Sequence, residues 1–174
     1  MELKQFNIRH KAELGAAMRV CDPVSGKELI GDDGKHPVLI VRGMASKSAQ
    51  RRIAELRRTA KQAEAKAAEA SVSENDDGSP IEDLHEQLVS AAMDFVIRAE
   101  NIEVDGAPVE TSDQIRALLE MTFPQMGQAR DESGALMFIS DGETRVPQFE
   151  MKNHPFAKQV TDFAEDQGNF TKAG

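Results

Sequence analysis

The apolar residues of this chain change period at Ser46, and that change limits the folds open to it. Upstream, short runs of strand type alternate with turn formers. "AAMRVC" (16–21) precedes "DPVSGKE", and the acidic loop "GDDGKHP" precedes "VLIVRG" (38–43). The last run is β-branched and bounded by Pro37 and Gly43, the clearest strand in the chain. Leu3, Phe6 and Ile8 add a shorter segment of the same kind. Two or three such strands form a small antiparallel unit over 1–45, which needs helices packed on it to be stable.

Downstream, helical spacing takes over. "SKSAQRRIAELRRTAKQAEAKAAEA" (46–70) is built from strong helix formers but has only a thin apolar stripe. An acidic hinge, 70–79, follows. Ser79-Pro80-Ile81-Glu82 then gives an N-cap, a proline at the first helical position and a glutamate at the third. Ile81, Leu84, Leu88, Ala92, Phe95, Val96 and Ala99 recur at steps of three and four, predicting a helix over 80–100. Asp105-Gly106 is a tight turn, and Thr111 with Gln114 is a capping box that opens a helix over 112–122. Residues 125–152 are less regular, with a β-hairpin expected near 135–150, turning at Asp141-Gly142, and with Pro147 confining the second strand to an edge. The last helix starts at "NHP", capped by Asn153 or His154, and is stopped by Gly168. The fold class is therefore α+β: a small N-terminal β unit (1–45), then a mainly helical region (46–174) of about four helices. Together they make one domain.

The chemistry the residues exclude is as informative. One cysteine, Cys21, forms neither an internal disulfide nor a thiolate cluster, and reads as a small buried hydrophobe. Placing Gly78, Gly34 or Gly142 at the sixth position of a calcium loop puts Ser73, Leu29 or Met137 at the first, so no such loop fits. The four histidines form no metal-spaced pair, no phosphate-binding glycine motif or nucleophile elbow occurs, and the paired carboxylates lie in polar loops or first helical turns. The expectation is a protein that is not an enzyme and needs no cofactor or metal. No apolar run is long enough to span a membrane, and the N-terminus lacks the apolar core of a signal peptide, which points to the cytoplasm.

Two features suit a partner. Residues 47–61 carry six basic side chains, Arg51, Arg52, Arg57 and Arg58 among them, against the single Glu55. That is a net +5 in a chain of net charge −9, leaving −14 for the remainder. Such a run reads first as a solvated face or one paired within the molecule, for instance with 74–83. A protein partner comes second, and nucleic acid last, because no aromatic residue is interleaved for base stacking. Phe156, Val160 and Phe163 share one helical face, and Phe170 follows Phe163 at the seven-residue step that separates Phe156 from Phe163. They read first as core and second as an exposed face for a partner helix.

The order of these features resembles the tail assembly chaperones of tailed bacteriophages. "CDPVSGKELIG" is similar to that family's early Asp-Pro-x-Thr/Ser-Gly turn, and "VLIVRGMASKSAQRR" to its strand, glycine, serine and arginine-bearing helix. "LVSAAMDFVIRAENIEVDGAPVETSDQIRALL" resembles its helix, Asp-Gly-x-Pro-Val connector and next helix, and "HPFAKQVTDFAEDQGNF" its closing helix. The likeness covers 20–124 and 153–171. The chain departs from the family in lacking a tryptophan often found in the middle helix, where it has Phe95 and Ile97 nearby, and in 125–152, which resembles an insertion that delays the last helix. It implies a homo-oligomer of the host cytoplasm, absent from the mature virion. Such a protein binds the long helical tape measure protein and helps tail tube protein assemble around it. The rival expectations are a tail or head-tail component retained in the virion, and a small nucleic-acid-binding regulator acting through 47–61.

Overall fold

The first described element is a helix where the sequence predicts a strand. The computed structural model describes residues 8–54, 58, 80–141 and 144–171. In it α1 (Ile8–Leu14) is helical, while Leu3 and Phe6 lie outside the described residues. Lys11, Ala12, Glu13 and Leu14 are good helix formers. Gly15 ends the helix at φ 83, its N–H donating to Lys11 O at 3.1 Å.

β1 (Ala16–Arg19) and β2 (Val38–Val41) then pair antiparallel, from Ala16 opposite Val41 to Arg19 opposite Val38. The connection between them folds as its residues dictate. Asp22 Oδ1 accepts from the N–H groups of Val24 and Ser25 at 3.1 and 2.6 Å, Gly26 supplies φ 69, and Cys21 bridges to Glu28.

The third strand comes from the region expected to be wholly helical. The predicted 80–100 helix is corrected: α3 (Pro80–Phe95) passes without a linker into β3 (Val96–Glu100), which pairs with β2. Leu39 stands opposite Ala99, Ile40 opposite Arg98 and Val41 opposite Val96, so Ile97 is an extra, bulged residue. Helical spacing was real in 81–95. Beyond it, the β-branched Val96 and Ile97 meet a β2 edge whose backbone groups would otherwise be buried unpaired. The central place of β2 explains its uninterrupted apolar sequence, since Leu39, Ile40 and Val41 are all buried. The N-terminal β unit is therefore completed only by residues of the helical region.

One face of the sheet, carrying Met18, Leu39 and Val41, belongs to the core with Val89, Ala92 and Phe95 of α3. Ile115, Leu118 and Leu119 of α4 (Ser112–Glu120) and Ala157, Val160 and Ala164 of α5 (Phe156–Glu165) complete it. The described part of α2, 47–54, starts at the buried Ser46, whose Oγ accepts from Ala49 N at 3.1 Å. Ser79, the expected cap of α3, lies outside the described residues. Before α4, β4 (Glu103–Val104) and β5 (Ala107–Pro108) form a two-residue hairpin with Asp105 at φ 53 and Gly106 at φ 78, a type I′ turn. The capping box is present: Gln114 N donates to Thr111 Oγ1, and Thr111 N to Gln114 Oε1.

Residues 126–151 leave the body as a β excursion. Its stem pairs β6 (Met126–Gln128) with β9 (Phe149–Met151), and its tip pairs β7 (Phe138–Asp141) with β8 (Thr144–Pro147). Asp141 stands opposite Thr144, so the link is 142–143, one residue later than the expected Asp141-Gly142, and lies outside the described residues. Pro147 pairs with Phe138 in a two-stranded ribbon, where no third strand needs an N–H from it.

The excursion is held at a three-way junction. Ala129 N donates to Gln148 O, Gln148 N to Met137 O, and Met137 N to Ala129 O, at 2.8, 3.0 and 2.9 Å. Stem, tip and the Asp131–Gly134 turn all radiate from this ring of three bonds.

Two expectations for the last helix are also corrected. Its N-cap is Pro155, with no side-chain cap. Asn153 instead spans the base of the excursion, accepting from Gln125 N at 2.8 Å and donating to Phe123 O at 2.9 Å. Gly168 does not stop α5, which ends at Glu165; it opens α6 (Gly168–Thr171), which carries Phe170 back to α1. The architecture is α+β.

Candidate functional site

The residues singled out for a partner part company in three dimensions. Arg51 and Arg58 are exposed, and Arg57 lies outside the described residues. Arg52 Nε stands 3.0 Å from Asp94 Oδ2, tying α2 to α3. The first turn of α2 has a second anion: Glu13 accepts from the Ser48 N–H and, at short range, from its hydroxyl, with Arg42 nearby. Among the described residues of 47–61, Arg52 is thus paired within the molecule, with Asp94; residues 74–79 of the acidic stretch suggested as a partner lie outside the described residues.

The Phe156, Val160, Phe163, Phe170 series divides as well. Val160 and Phe170 are buried, and the Phe163 and Phe170 rings meet edge-on at 5.8 Å. Neither Val160 nor Phe170 is presented to a partner in this fold, because Val160 faces α3 and the sheet while Phe170 closes over Gly43. Only Phe156 reaches an open groove.

That groove, about 690 Å³, runs between the 29–37 loop, the 101–104 connection and the C-terminal end of α4. Leu29, Val104, Leu118 and Phe156 line its apolar part, and Ile30 and Met121, 65% and 62% exposed, stand at its mouth. Its rim is acidic. Asp33 is paired with Lys35 at 2.8 Å, and that lysine's hydrogen bond holds the carboxyl below its ordinary value. Asp32 and Glu103 are exposed, with no ion partner among the described residues. Asn101 at φ 55 turns the chain from β3 into this wall, its amide donating to His36 O at 3.3 Å.

A second depression, about 350 Å³ between α3 and α4, is crossed by charge pairs. Arg116 reaches Glu120 at 2.7 Å and Glu86 at 3.6 Å, while the His85 ring rests 4.6 Å from Phe123. This is the boundary packing that the place of His85 beside the α3 stripe suggests.

Sequence reasoning missed the excursion as a surface. Six of the twelve large apolar side chains exposed among the described residues lie on it, led by Phe149 (58%) and Ile139 (54%). "ALMFIS" looks like a core strand, but a two-stranded ribbon cannot bury both its faces. The signal was the pairing of that run with a hairpin turn and a proline in the same short segment.

The early Asp-Pro turn has a structural task. Gln159 of α5 accepts from Cys21 N and donates to Cys21 O, both at 2.9 Å, and His154 N donates to Pro23 O at 2.7 Å. The turn is thereby docked on the last helix. Cys21, expected to be buried, is only half-buried, because the bridge to Glu28 sets it in the loop beyond β1. What burial it has pushes its thiol above the ordinary value, away from thiolate chemistry. Among the described residues no three His, Cys, Asp or Glu side chains gather as metal ligands would, and no helix is long and apolar enough to cross a membrane. No protein family, curated protein or solved structure matches the chain.

Proposed function

We propose that this chain is a tail assembly chaperone of a tailed bacteriophage, a non-enzymatic protein that binds the tape measure protein in the host cytoplasm and promotes tail tube assembly. The observation that carries the reading is the open apolar groove with Ile30 and Met121 at its mouth, on a chain of net charge −9. A groove of this kind covers the apolar stripe of a helix, and a strongly negative surface keeps the resulting complex soluble. The order of turn, strand, arginine-bearing helix, connector and closing helix supports the same family. Contact of this kind is reversible, and the chain works as a homo-oligomer with the tail tube protein as its second partner.

Coexpression with the tape measure protein tests the reading. The expected outcome is a tape measure protein that shifts from the insoluble to the soluble fraction and is retained on the tagged chain. A chain that neither retains it nor raises its solubility removes the proposal.

The excursion favours one second reading, a tail or head-tail component that stays in the virion. Its ribbons have unpaired edges and exposed apolar side chains, which suit permanent strand pairing with a neighbouring subunit. Mass spectrometry of purified virions separates the two, since an assembly factor is absent from them.

A further inference from the structure

We infer that the groove beside the 29–37 loop takes an α-helix whose apolar stripe is flanked by lysine or arginine. The inference gives the chemistry of the partner in the reading above and rests on that reading only for the partner's identity.

The lining decides the kind of occupant. A small-molecule site aims a few buried polar groups at its ligand. Here the Asn101 amide is engaged with His36 O, and Asp32, Asp33 and Glu103 stand exposed on the rim. An apolar floor with a charged rim is the arrangement that seats an amphipathic helix. Met121 at the mouth is unbranched and adapts to apolar side chains of differing shape.

The charges decide the sign. Lys35 is the one basic residue among those lining the groove, and it is already paired with Asp33. The two acids left without an ion partner among the described residues, Asp32 and Glu103, are both negative. The field of the whole chain has the same sign at a net charge of −9. A helix edged with lysine or arginine gains from both, whereas one edged with glutamate is repelled.

The test uses the full chain and two synthetic helical peptides with the same leucine stripe, one edged with lysine and one with glutamate. Fluorescence anisotropy at low salt measures binding. The lysine peptide is expected to bind about tenfold tighter or more, and the Asp32→Lys/Glu103→Lys double variant to abolish that preference. Met121→Asp separates docking from diffuse attraction. It makes the chain more negative, which would strengthen a purely electrostatic association. Docking in the groove instead weakens about tenfold, because a carboxylate then meets the leucine stripe.

Equal binding of the two peptides, no binding of either, a preference unchanged in the double variant, or lysine-peptide binding that Met121→Asp leaves intact overturns the inference. All three substituted side chains are exposed, and circular dichroism verifies that the variants fold. Coexpression with the tape measure protein keeps the two ideas apart. Retention by wild type and Met121→Asp alike defeats the groove and leaves the chaperone standing. Peptide binding as expected, without retention of the tape measure protein, does the reverse.

Discussion

Gly43 sets how closely α1 and α6 approach each other. A Cβ built there would stand 2.9 Å from Ala12 Cβ and 2.9 Å from the Phe170 ring. The glycine follows the central strand, and its N–H donates to Ala12 O at 3.0 Å, so it joins α1, β2 and α6. Gly43→Ala is expected to lower unfolding stability by about 1–3 kcal/mol, the usual cost of forcing extra volume into a packed site, as read from urea denaturation. An unchanged midpoint would mean that Phe170 swings aside freely. In sequence Gly43 reads only as the end of a strand, because the residues it accommodates lie 31 and 127 positions away. Thr111, Gln114, Asp105 and Gly106 are the opposite case. Their partners lie within four residues, and their roles were legible at once.

The elements differ in how much they owe to their neighbours. β3 exists because β2 offers it a partner; the same residues read alone continue a helix. The excursion owes the body little. Among the residues of 126–151 whose burial is described, only Ala129 is buried, and it lies outside the main core. Met126 and Met151 stand opposite each other at the foot of the stem, close enough for a two-residue turn to join. Replacing 127–150 with Asn-Gly is therefore expected to leave the body folded, with a thermal midpoint shifted by less than about 4 °C, which for a chain of this size is ~1–2 kcal/mol. A far larger fall would show that the Asn153 bridge and the stem support the core after all.

The molecule as a whole joins a β unit and a helical region through one sheet and one core, and the contact between α1 and the start of α2 contributes to its response to acid. Glu13 of α1 is held below its ordinary value of 4.5, first by the Ser48 hydroxyl and next by the Ser48 N–H, with Arg42 contributing less. Because its folded value is depressed, its contribution is fully present above pH 4.5 and is lost as pH falls through the lowered value. Ser48→Ala moves the folded value back toward the unfolded one. The variant should be less stable than wild type at pH 7, and the gap between their melting temperatures should narrow as pH falls below 4.5. A gap that stays constant down to pH 3, where ordinary carboxylates are mostly protonated, would exclude the Glu13 contact as its source.

By itself the sequence determined what depends on near neighbours: the turns at Asp22–Gly26 and Asp105-Gly106, the Thr111 cap, the central strand at 38–41, and the α+β class. Each rests on φ preferences, side-chain-to-backbone bonds or local apolar period, all of which act over a few residues. The tertiary structure decided the rest. It turned Val96–Glu100 into a strand because a buried edge must be paired, and made Asn153 a clamp rather than a cap because the excursion needed its base closed. It also buried Val160 and Phe170 while leaving Phe156 at a groove. All four residues have the same helical rhythm, and only the elements packed around them determine which are covered.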